Sequence, residues 1–371
     1  MENKNLPKVK ILVAYHRPTL KVFRNSIFEP IHAGRAVAEE ASKDGSLPKE
    51  QIEWMKEQMR GDDTGENISD LNRYLNECTA IYWAWKNLDK LGNPDYVGLA
   101  HYRRYFYFQP TPLEEPEFEL SVRKLESMLS DELSIREICA SADCLCSKKR
   151  QMVHITSYLP HMKFLHDEMR SFVYEKFPQY APAIVEEIDQ GWVHNLNMFV
   201  MKTDLFREYC EFLFPTLSHL YGVLHQKCEN LTSTEMRMPG YLAELLTSMF
   251  VSHLARTGKN VKEMRVARCD LTKESLSKIR FVHHVINWIR CVLISKITKG
   301  ERKAHYLTKS HRYSSNIENY LWYKSHRKEN KSLPPPRTQV YVALALPSFR
   351  TVRAHIFTMP LHVQSPSLNN F

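Results

Sequence analysis

The chain has 371 residues, of which 43% are hydrophobic and 11% aromatic, a composition typical of a folded protein with about two or three domains. No apolar run approaches the roughly 18 residues of a membrane-spanning helix, and the polar N-terminus lacks the apolar core of a secretion signal. The eight cysteines show no CxxC spacing. We therefore expect reduced thiols, no zinc site and a cytoplasmic location.

Positive charge is concentrated at the C-terminal end. The whole chain carries +9, but residues 273–371 carry +13 and residues 1–272 carry −4. Such a tail could bind an anionic membrane surface or a nucleic acid. Aromatic residues that could stack on bases are Tyr306, Tyr313, Tyr320, Trp322 and Tyr323. No recognisable nucleic-acid-binding module accompanies them, so we expect no nucleic-acid partner.

The N-terminal half begins with a strand and a turn-rich loop. Residues 10–15, KILVAY, are an apolar, β-rich run that ends at His16. The polar segment 39–60 predicts an inserted helix. The run GDDTGENIS at 61–69 predicts turns, with Ser69 or Asp70 capping a helix from about residue 73 to 90.

The stretch DYVGLAHYRRYFYF at 95–108 is the strongest candidate for a functional site. It predicts a central strand at 96–100 that delivers His101, Tyr102, Arg103 and Arg104 to its carboxyl end, where ligands bind in open α/β sheets. Two adjacent guanidiniums suit a dianion such as a pyrophosphate. The alternative is that these arginines pair with surface carboxylates.

Strands and helices alternate along the rest of the N-terminal 270 residues. Strands are predicted at 142–146, 196–201 and 264–267, and helices at 158–177, 205–225 and 241–256. This alternation predicts an α/β sandwich. Neither GxGxxG nor GxxxxGK[ST] occurs, so no glycine-rich phosphate loop is expected.

Residues 281–297 predict an amphipathic helix. Its apolar face comprises Val282, Val285, Ile286, Ile289, Val292 and Leu293, and Lys296, Lys299, Arg302 and Lys303 follow. This helix could lie in an anionic membrane interface or dock onto the rest of the protein. The sequence LPPPR at 333–337 predicts a stiff linker. We therefore predict a domain at 1–270, a basic helical appendage at 271–332, and a Pro-rich, poorly ordered tail at 333–371.

Seven segments in order resemble the bacterial polysaccharide and lipopolysaccharide glycosyltransferases catalogued as domain of unknown function 4422. They are KILVAYHRP, PIHAGRA, GDDTGENIS, ECTAIYWAWKN, DYVGLAHYRRYF, NMFVM and PGYLAELL. The resemblance implies a GT-A-like fold that binds a nucleotide sugar and acts in capsule, O-antigen or exopolysaccharide assembly. It makes a UDP-linked sugar the default donor, such as UDP-galactose or UDP-galactofuranose.

The resemblance also implies roles for particular residues on the donor side. Ala14, Tyr15 and His16 end the first strand, where this fold receives the base and ribose. The family's most recognisable loop would close over the nucleotide with Asp62, Asp63, Thr64, Gly65 and Asn67. His101 to Arg104 stand where related folds carry a metal-binding D-x-D.

No two of the twelve aspartates are separated by one residue, so D-x-D is absent. We therefore expect Arg103 and Arg104 to neutralise the donor diphosphate in place of a metal. No cofactor is expected. Mg²⁺ or Mn²⁺ remains possible through Asp62 and Asp63.

The acceptor side is expected in the second half of the chain. His194 and Asn197 flank a strand and would face the sugars together with His101 and Tyr102. An inverting displacement needs one carboxylate as general base, and we choose Glu244 at the start of a helix after a Pro-Gly turn, where the family pattern places an acid. Arg237 would orient this base or the diphosphate. Asp189 and Glu235 are competing bases.

The sequence thus predicts a glycosyltransferase that extends a lipid-linked glycan or growing surface polysaccharide at the inner face of the cell membrane. Two alternatives stay open. One is a catalytically silent scaffold of the same fold, and the other is nucleic-acid binding through the basic tail.

Overall fold

A computed structural model describes residues 6–42, 45–111, 115–151, 162–272 and 277–326. The strands are β1 Val9–Tyr15, β2 Phe28–His32, β3 Arg60–Gly61, β4 Tyr96–His101, β5 Arg104–Phe106, β6 Glu117–Glu119, β7 Cys144–Ser147, β8 Arg150–Gln151, β9 Trp192–Val193, β10 Phe199–Lys202, β11 Val261–Met264 and β12 Val266–Arg268. The helices are α1 Lys49–Gln58, α2 Asn72–Leu75, α3 Cys78–Lys86, α4 Val122–Ser130, α5 Glu132–Ala140, α6 Lys163–Lys176, α7 Thr203–Lys227, α8 Met238–Arg256, α9 Lys278–Ile297 and α10 Gly300–Ser325.

One twisted sheet organises the protein, in the order β11-β7-β10-β4-β1-β2-β3. Strand β1 lies between β2 and β4 and runs parallel to both. Strand β10 is antiparallel to β4, so its first residues lie at the edge where β1, β2 and β4 end. Strands β5, β6 and β12 form a side branch attached to β4 through the His101–Arg104 pair.

Both faces of the sheet are buried, which explains why β1 is apolar along its whole length. Leu12 and Ala14 contribute to a core that includes residues of α3, α6, α7 and α8. Ile11, Val13 and Tyr15 point to the opposite core, which includes residues of α1, α4, α5 and α10. The result is the α/β sandwich that the alternating pattern predicted.

The structure corrects several predicted element boundaries. The single helix expected at 73–90 is divided into α2 and α3, because Asn76 adopts a left-handed backbone with φ 53°. The strand expected at 196–201 begins only at Phe199, since Leu196 and Asn197 also have positive φ. The predicted inserted helix at 39–60 is confined to α1, and Ser69 begins a 3₁₀ turn rather than capping a longer helix.

The basic segment after residue 277 folds as a pair of helices, α9 and α10, that pack against each other. Helix α10 also packs on β6 and α4. No helix in the described ranges is both long and apolar enough to cross a bilayer. The predicted linker and tail at 333–371 lie outside the described residues, as do residues 158–161 of the helix predicted at 158–177.

Candidate active site

A pocket opens where the parallel strands β1, β2 and β4 end. Their final residues are Tyr15, His32 and His101, and all three line it. The empty space in and in front of the pocket is about 650 Å³, part of which is open solvent. Its other lining residues are Ala14, His16, Ala33, Gly34, Ala38, Glu40, Ser42, Gly45, Leu47, Asn72, Arg73, Asn76, Glu77 and Arg237. Of the predicted site residues, this pocket brings together Ala14, Tyr15, His16, His101 and Arg237.

Asp62 does not line the pocket but holds the backbone of a loop that does. Its carboxylate is fully buried and accepts hydrogen bonds from the backbone N–H groups of Gly34 (2.7 Å) and Arg35 (3.1 Å). The hydroxyls of Ser69 and Thr79 also donate to it. Burial raises the pKa of Asp62, and these four hydrogen bonds oppose the rise. Asp62 is therefore a structural residue that fixes the loop after β2, a role we call the Asp62 clasp. The expectation that Asp62 contacts the nucleotide is corrected.

The rest of the predicted nucleotide loop lies outside the pocket. The Trp83 indole Nε1–H donates to the Thr64 carbonyl (2.7 Å), and Asn67 Nδ2 donates to the Gly65 carbonyl (2.9 Å). Asp63 lies on the surface with one carboxylate oxygen 4.0 Å from Arg35 Nε. The Trp83 bond fastens the loop to α3, the Asn67 bond lies within the loop, and none of these contacts is to a residue that lines the pocket.

The residues at this loop also do not fit the divalent cation considered for Asp62 and Asp63. Both oxygens of Asp62 already accept hydrogen bonds from N–H and O–H donors, which a cation would have to displace. Within the described ranges, no three His, Cys, Asp or Glu side chains form a group that could hold a metal ion.

The break between α2 and α3 places two polar side chains in the pocket. Asn76 leaves the helical path at the break, and Glu77 follows it at the pocket wall. Gly240 at the start of α8 makes this arrangement possible, because a Cβ there would lie 2.1 Å from Asn76 Nδ2. The PGYLAELL motif therefore contains glycine where α8 passes closest to the break.

Four buried polar atoms of the lining residues have no hydrogen-bond partner among the described residues: Arg73 Nε, Arg237 Nε, His32 Nδ1 and Asn76 Oδ1. The His32 and Asn76 side chains are at least nine-tenths buried. Burial lowers the pKa of His32 to about 3, so its imidazole is neutral at physiological pH. Unsatisfied polar atoms of this kind are costly in a folded protein unless a ligand or water pairs with them.

Cationic side chains surround His16 at the mouth of the pocket. The His16 side chain is exposed at this mouth, and partial desolvation by its neighbours together with the charges of Arg17, Arg237 and Arg103 lowers its pKa. Arg73 lines the same pocket and donates to the Glu40 carbonyl (2.7 Å). This concentration of guanidiniums makes the pocket attractive to an anion.

The structure separates the two arginines that were expected to act as a pair. Arg103 lies over the Tyr102 ring, with its guanidinium 5.3 Å from the ring centroid, and one nitrogen is 3.6 Å from Asp270. Arg104 Nε instead donates to Glu117 (2.8 Å) and lines a different groove beside α10. Because the chain turns sharply between β4 and β5, the two arginine side chains lie on different surfaces of the protein.

The turn before β10 holds Glu244 beside the pocket. The Leu196 N–H donates to Glu244 Oε2 (2.9 Å), and the Leu196 carbonyl lies 2.6 Å from His101 Nε2. A carbonyl only accepts, so His101 carries its proton on Nε2. Leu196 has φ 81° and Asn197 has φ 50°. Non-glycine residues in this backbone region are strained and occur frequently at functional sites.

Glu77 and Glu244 form a pair of interacting carboxylates. Asn197 Nδ2 donates to Glu77 Oε1 (2.7 Å), while the Thr247 hydroxyl donates to Asn197 Oδ1 (3.0 Å). Burial raises the pKa of Glu244 to about 7, the Leu196 N–H opposes this, and the charge of Glu77 adds to the rise. A carboxyl group with this pKa can exchange a proton at physiological pH.

The other predicted acceptor-side residues lie away from the pocket lining. Asp189 forms a bidentate ion pair with Arg170, and Glu235 accepts a hydrogen bond from the Thr232 N–H. His194 is buried and donates through Nδ1 to the Ser147 carbonyl (2.6 Å), so it joins the turn before β10 to β7. Tyr102 is buried with its ring 5.1 Å from the His16 ring.

Sequence reasoning missed Glu77, His32 and Asn76. Glu77 lies within the motif ECTAIYWAWKN, for which the hydrophobic spacing predicts a continuous helix. A helix break before this glutamate is not visible in the hydrophobic periodicity.

Residues 10–256 match the family described as Domain of unknown function (DUF4422). The chain belongs to this family.

Among solved structures, the chain is similar to the apo structure of WbbM, a bifunctional glycosyltransferase, with 28% sequence identity and a TM-score of 0.57. The similarity covers 70% of this chain and 45% of the WbbM chain, so less than half of WbbM is represented. No curated protein sequence gives a match. The α/β sandwich is thus a GT-A-like fold, as the resemblance implied.

Proposed function

We propose that this protein is a glycosyltransferase and that the pocket at the ends of β1, β2 and β4 binds its nucleotide-sugar donor. The proposal rests on two features that occur together in one pocket. The first is the pair of buried polar atoms without hydrogen-bond partners, His32 Nδ1 and Asn76 Oδ1, and the second is the presence of the Arg73 and Arg237 guanidiniums. A ligand with hydroxyl or amide groups at one end and a diphosphate at the other would satisfy both. The similarity to WbbM supports the same activity.

Arg237 and Arg103 are the diphosphate-binding residues in this proposal. Both lie close enough to His16 to influence its pKa, whereas Arg104 is paired with Glu117. Their fixed charges would stabilise the leaving diphosphate without a metal. We propose a UDP-linked donor, with UDP-galactose and UDP-galactofuranose as the first candidates.

Glu244 is the proposed general base of an inverting transfer. A base acts best when its pKa is near the working pH, and burial places that of Glu244 at about 7. Glu77 lines the pocket and raises the pKa of Glu244 through its charge, so we assign it a positioning role. The proposed acceptor is a lipid-linked glycan or growing surface polysaccharide at the cytoplasmic face of the cell membrane.

Thermal-shift measurements with UDP and a panel of UDP-sugars test the donor site. Binding at about 100 times Kd stabilises a protein by about 2.7 kcal/mol. Arg237→Ala should abolish this stabilisation. Arg256→Ala is the matched control because Arg256 lies at the other end of α8, paired with Glu186. If no nucleotide stabilises the wild-type protein, the pocket is not a donor site.

Release of UDP in the presence of candidate acceptors tests catalysis. Glu244→Gln should bind the donor normally and reduce kcat by about 10² to 10⁴. Donor binding without turnover on any acceptor would favour the catalytically silent scaffold.

A further inference from the structure

Helix α9 presents a continuous apolar stripe to solvent. The stripe consists of Ile279, Val282, Ile286, Ile289, Leu293 and Ile297, whose exposed fractions range from 47% to 85%. Their spacing of three or four residues places all six on one side of the helix. From Ile279 to Ile297, 18 rises of about 1.5 Å each, the stripe is about 27 Å long. So large an exposed aliphatic surface is typical of an interaction site.

Among the residues that the structure describes, none covers this stripe, because α9 docks through its opposite side. Cys291 and Ser295 are buried, and the Phe281 ring stacks on Tyr320 of α10 at 4.3 Å between centroids. Of the apolar face predicted from sequence, Val285 and Val292 are half-buried, whereas Val282, Ile286, Ile289 and Leu293 are exposed. Within the described residues, only part of the predicted apolar face therefore docks onto the rest of the chain.

Helix α10 anchors this arrangement to the sheet. Asn319 Oδ1 accepts a hydrogen bond from the Val122 N–H at the start of α4 (2.7 Å). Trp322 is buried in the same core as β1. Since α10 is fixed, α9 is held as an outer layer with its stripe outward.

The charged residues beside the stripe indicate what kind of partner surface would bind it. At 100° per residue, Lys278 and Lys296 lie along one edge of the stripe and Arg290 lies along the other. All three are exposed. Residues 277–326 contain ten Lys and Arg but two Glu, and α9 contains no acidic residue.

These features argue against two other occupants. A second copy of the chain would place these cations against each other in a self-complementary contact, with no acid on α9 to neutralise them. A nucleic acid would use the cations but not six exposed aliphatic side chains. A membrane interface uses both, because acyl chains receive the aliphatic stripe while anionic headgroups meet the flanking cations.

We propose that α9 lies in the interface of an anionic lipid bilayer, with the stripe buried and Lys278, Arg290 and Lys296 at the headgroups. This docking surface is argued independently of the catalytic activity proposed above. It would hold the pocket near acceptors that are themselves in the membrane.

Vesicle sedimentation of the full-length protein tests the proposal. Vesicles of phosphatidylcholine mixed with phosphatidylglycerol should pellet the wild-type protein, and vesicles of phosphatidylcholine alone should pellet much less. Ile286→Gln, Ile289→Gln and Leu293→Gln combined should weaken binding by about tenfold or more. The matched control combines Leu133→Gln, Leu307→Gln and Leu321→Gln, three leucines of similar exposure off the stripe, and should bind as the wild type does.

A charge variant combining Lys278→Gln, Arg290→Gln and Lys296→Gln should reduce binding to mixed vesicles toward the level seen with phosphatidylcholine alone. Circular dichroism and UDP-induced thermal shifts should be unchanged in each variant, which separates this test from that of the donor pocket. Equal sedimentation of the stripe variant and the wild type would overturn the proposal. So would failure of the wild type to bind mixed vesicles at low salt, or a wild-type dimer that the stripe variant dissociates.

Discussion

Replacing Glu244 by glutamine should change how the stability of the protein depends on pH. The pKa of this carboxyl rises from 4.5 to about 7 in the folded protein, mainly through burial. The difference of about 2.5 units corresponds to about 3 kcal/mol at about 1.4 kcal/mol per unit. This is an upper limit, because the side chain retains some exposure and solvent screens it.

The sign follows from proton binding. Between about pH 4.5 and 7 the folded protein holds a proton on Glu244 that the unfolded chain has released, so wild-type stability falls as pH rises through this range. Glutamine keeps an oxygen for the Leu196 N–H but cannot ionise. We therefore compare the free energies of unfolding of Glu244→Gln and the wild type. Raising the pH from about 5.5 to about 8 should shift their difference by about 2 kcal/mol in favour of Glu244→Gln.

Urea unfolding monitored by tryptophan fluorescence at several pH values measures this difference. Glu235→Gln is the control, since Glu235 is hydrogen-bonded to Thr232 outside the pocket lining. Its difference from the wild type should vary by no more than about 0.5 kcal/mol over the same range. A Glu244→Gln difference that stays constant with pH would refute the raised pKa and, with it, the physical case for Glu244 as a base.

Three further predictions follow from the site. Asp62→Ala should lower the free energy of unfolding by about 3 kcal/mol or more, because it leaves the Gly34 and Arg35 N–H groups without a buried acceptor. Asp63→Ala should change it by less than about 1 kcal/mol. Equal urea midpoints for the two variants would contradict the structural role of Asp62. Arg103→Ala should raise the Kd for a UDP-sugar by about tenfold or more and Arg104→Ala by much less, as measured by calorimetry; the reverse order would return Arg104 to the diphosphate. UDP release should persist in EDTA, because the Asp62 oxygens are occupied by hydrogen bonds; loss of turnover that Mn²⁺ restores would contradict the metal-free proposal.

The amino-acid sequence by itself determined the fold class and the edge of the sheet that carries the candidate site. An apolar run such as KILVAY, which is short and contains the β-branched residues Ile11 and Val13, favours a strand, and the structure shows this strand buried on both faces. The polar residues after such runs, His16 and His101, then meet at one edge because β1 and β4 are parallel. Five of the predicted site residues line the pocket there for this reason.

The tertiary structure decided which polar groups face the pocket and which hold the fold together. Asp62 and Glu77 are both acids in recognised motifs, but long-range contacts make Asp62 a buried clasp for the loop after β2 and leave Glu77 at the pocket wall. Arg103 and Arg104 are adjacent in sequence and diverge because of the tight β4–β5 turn. Helix α9 is recognisably amphipathic, but only its packing on α10 determines that the apolar stripe faces solvent. Periodicity specifies local structure, whereas the partner of a buried polar group depends on which distant segments the fold brings beside it.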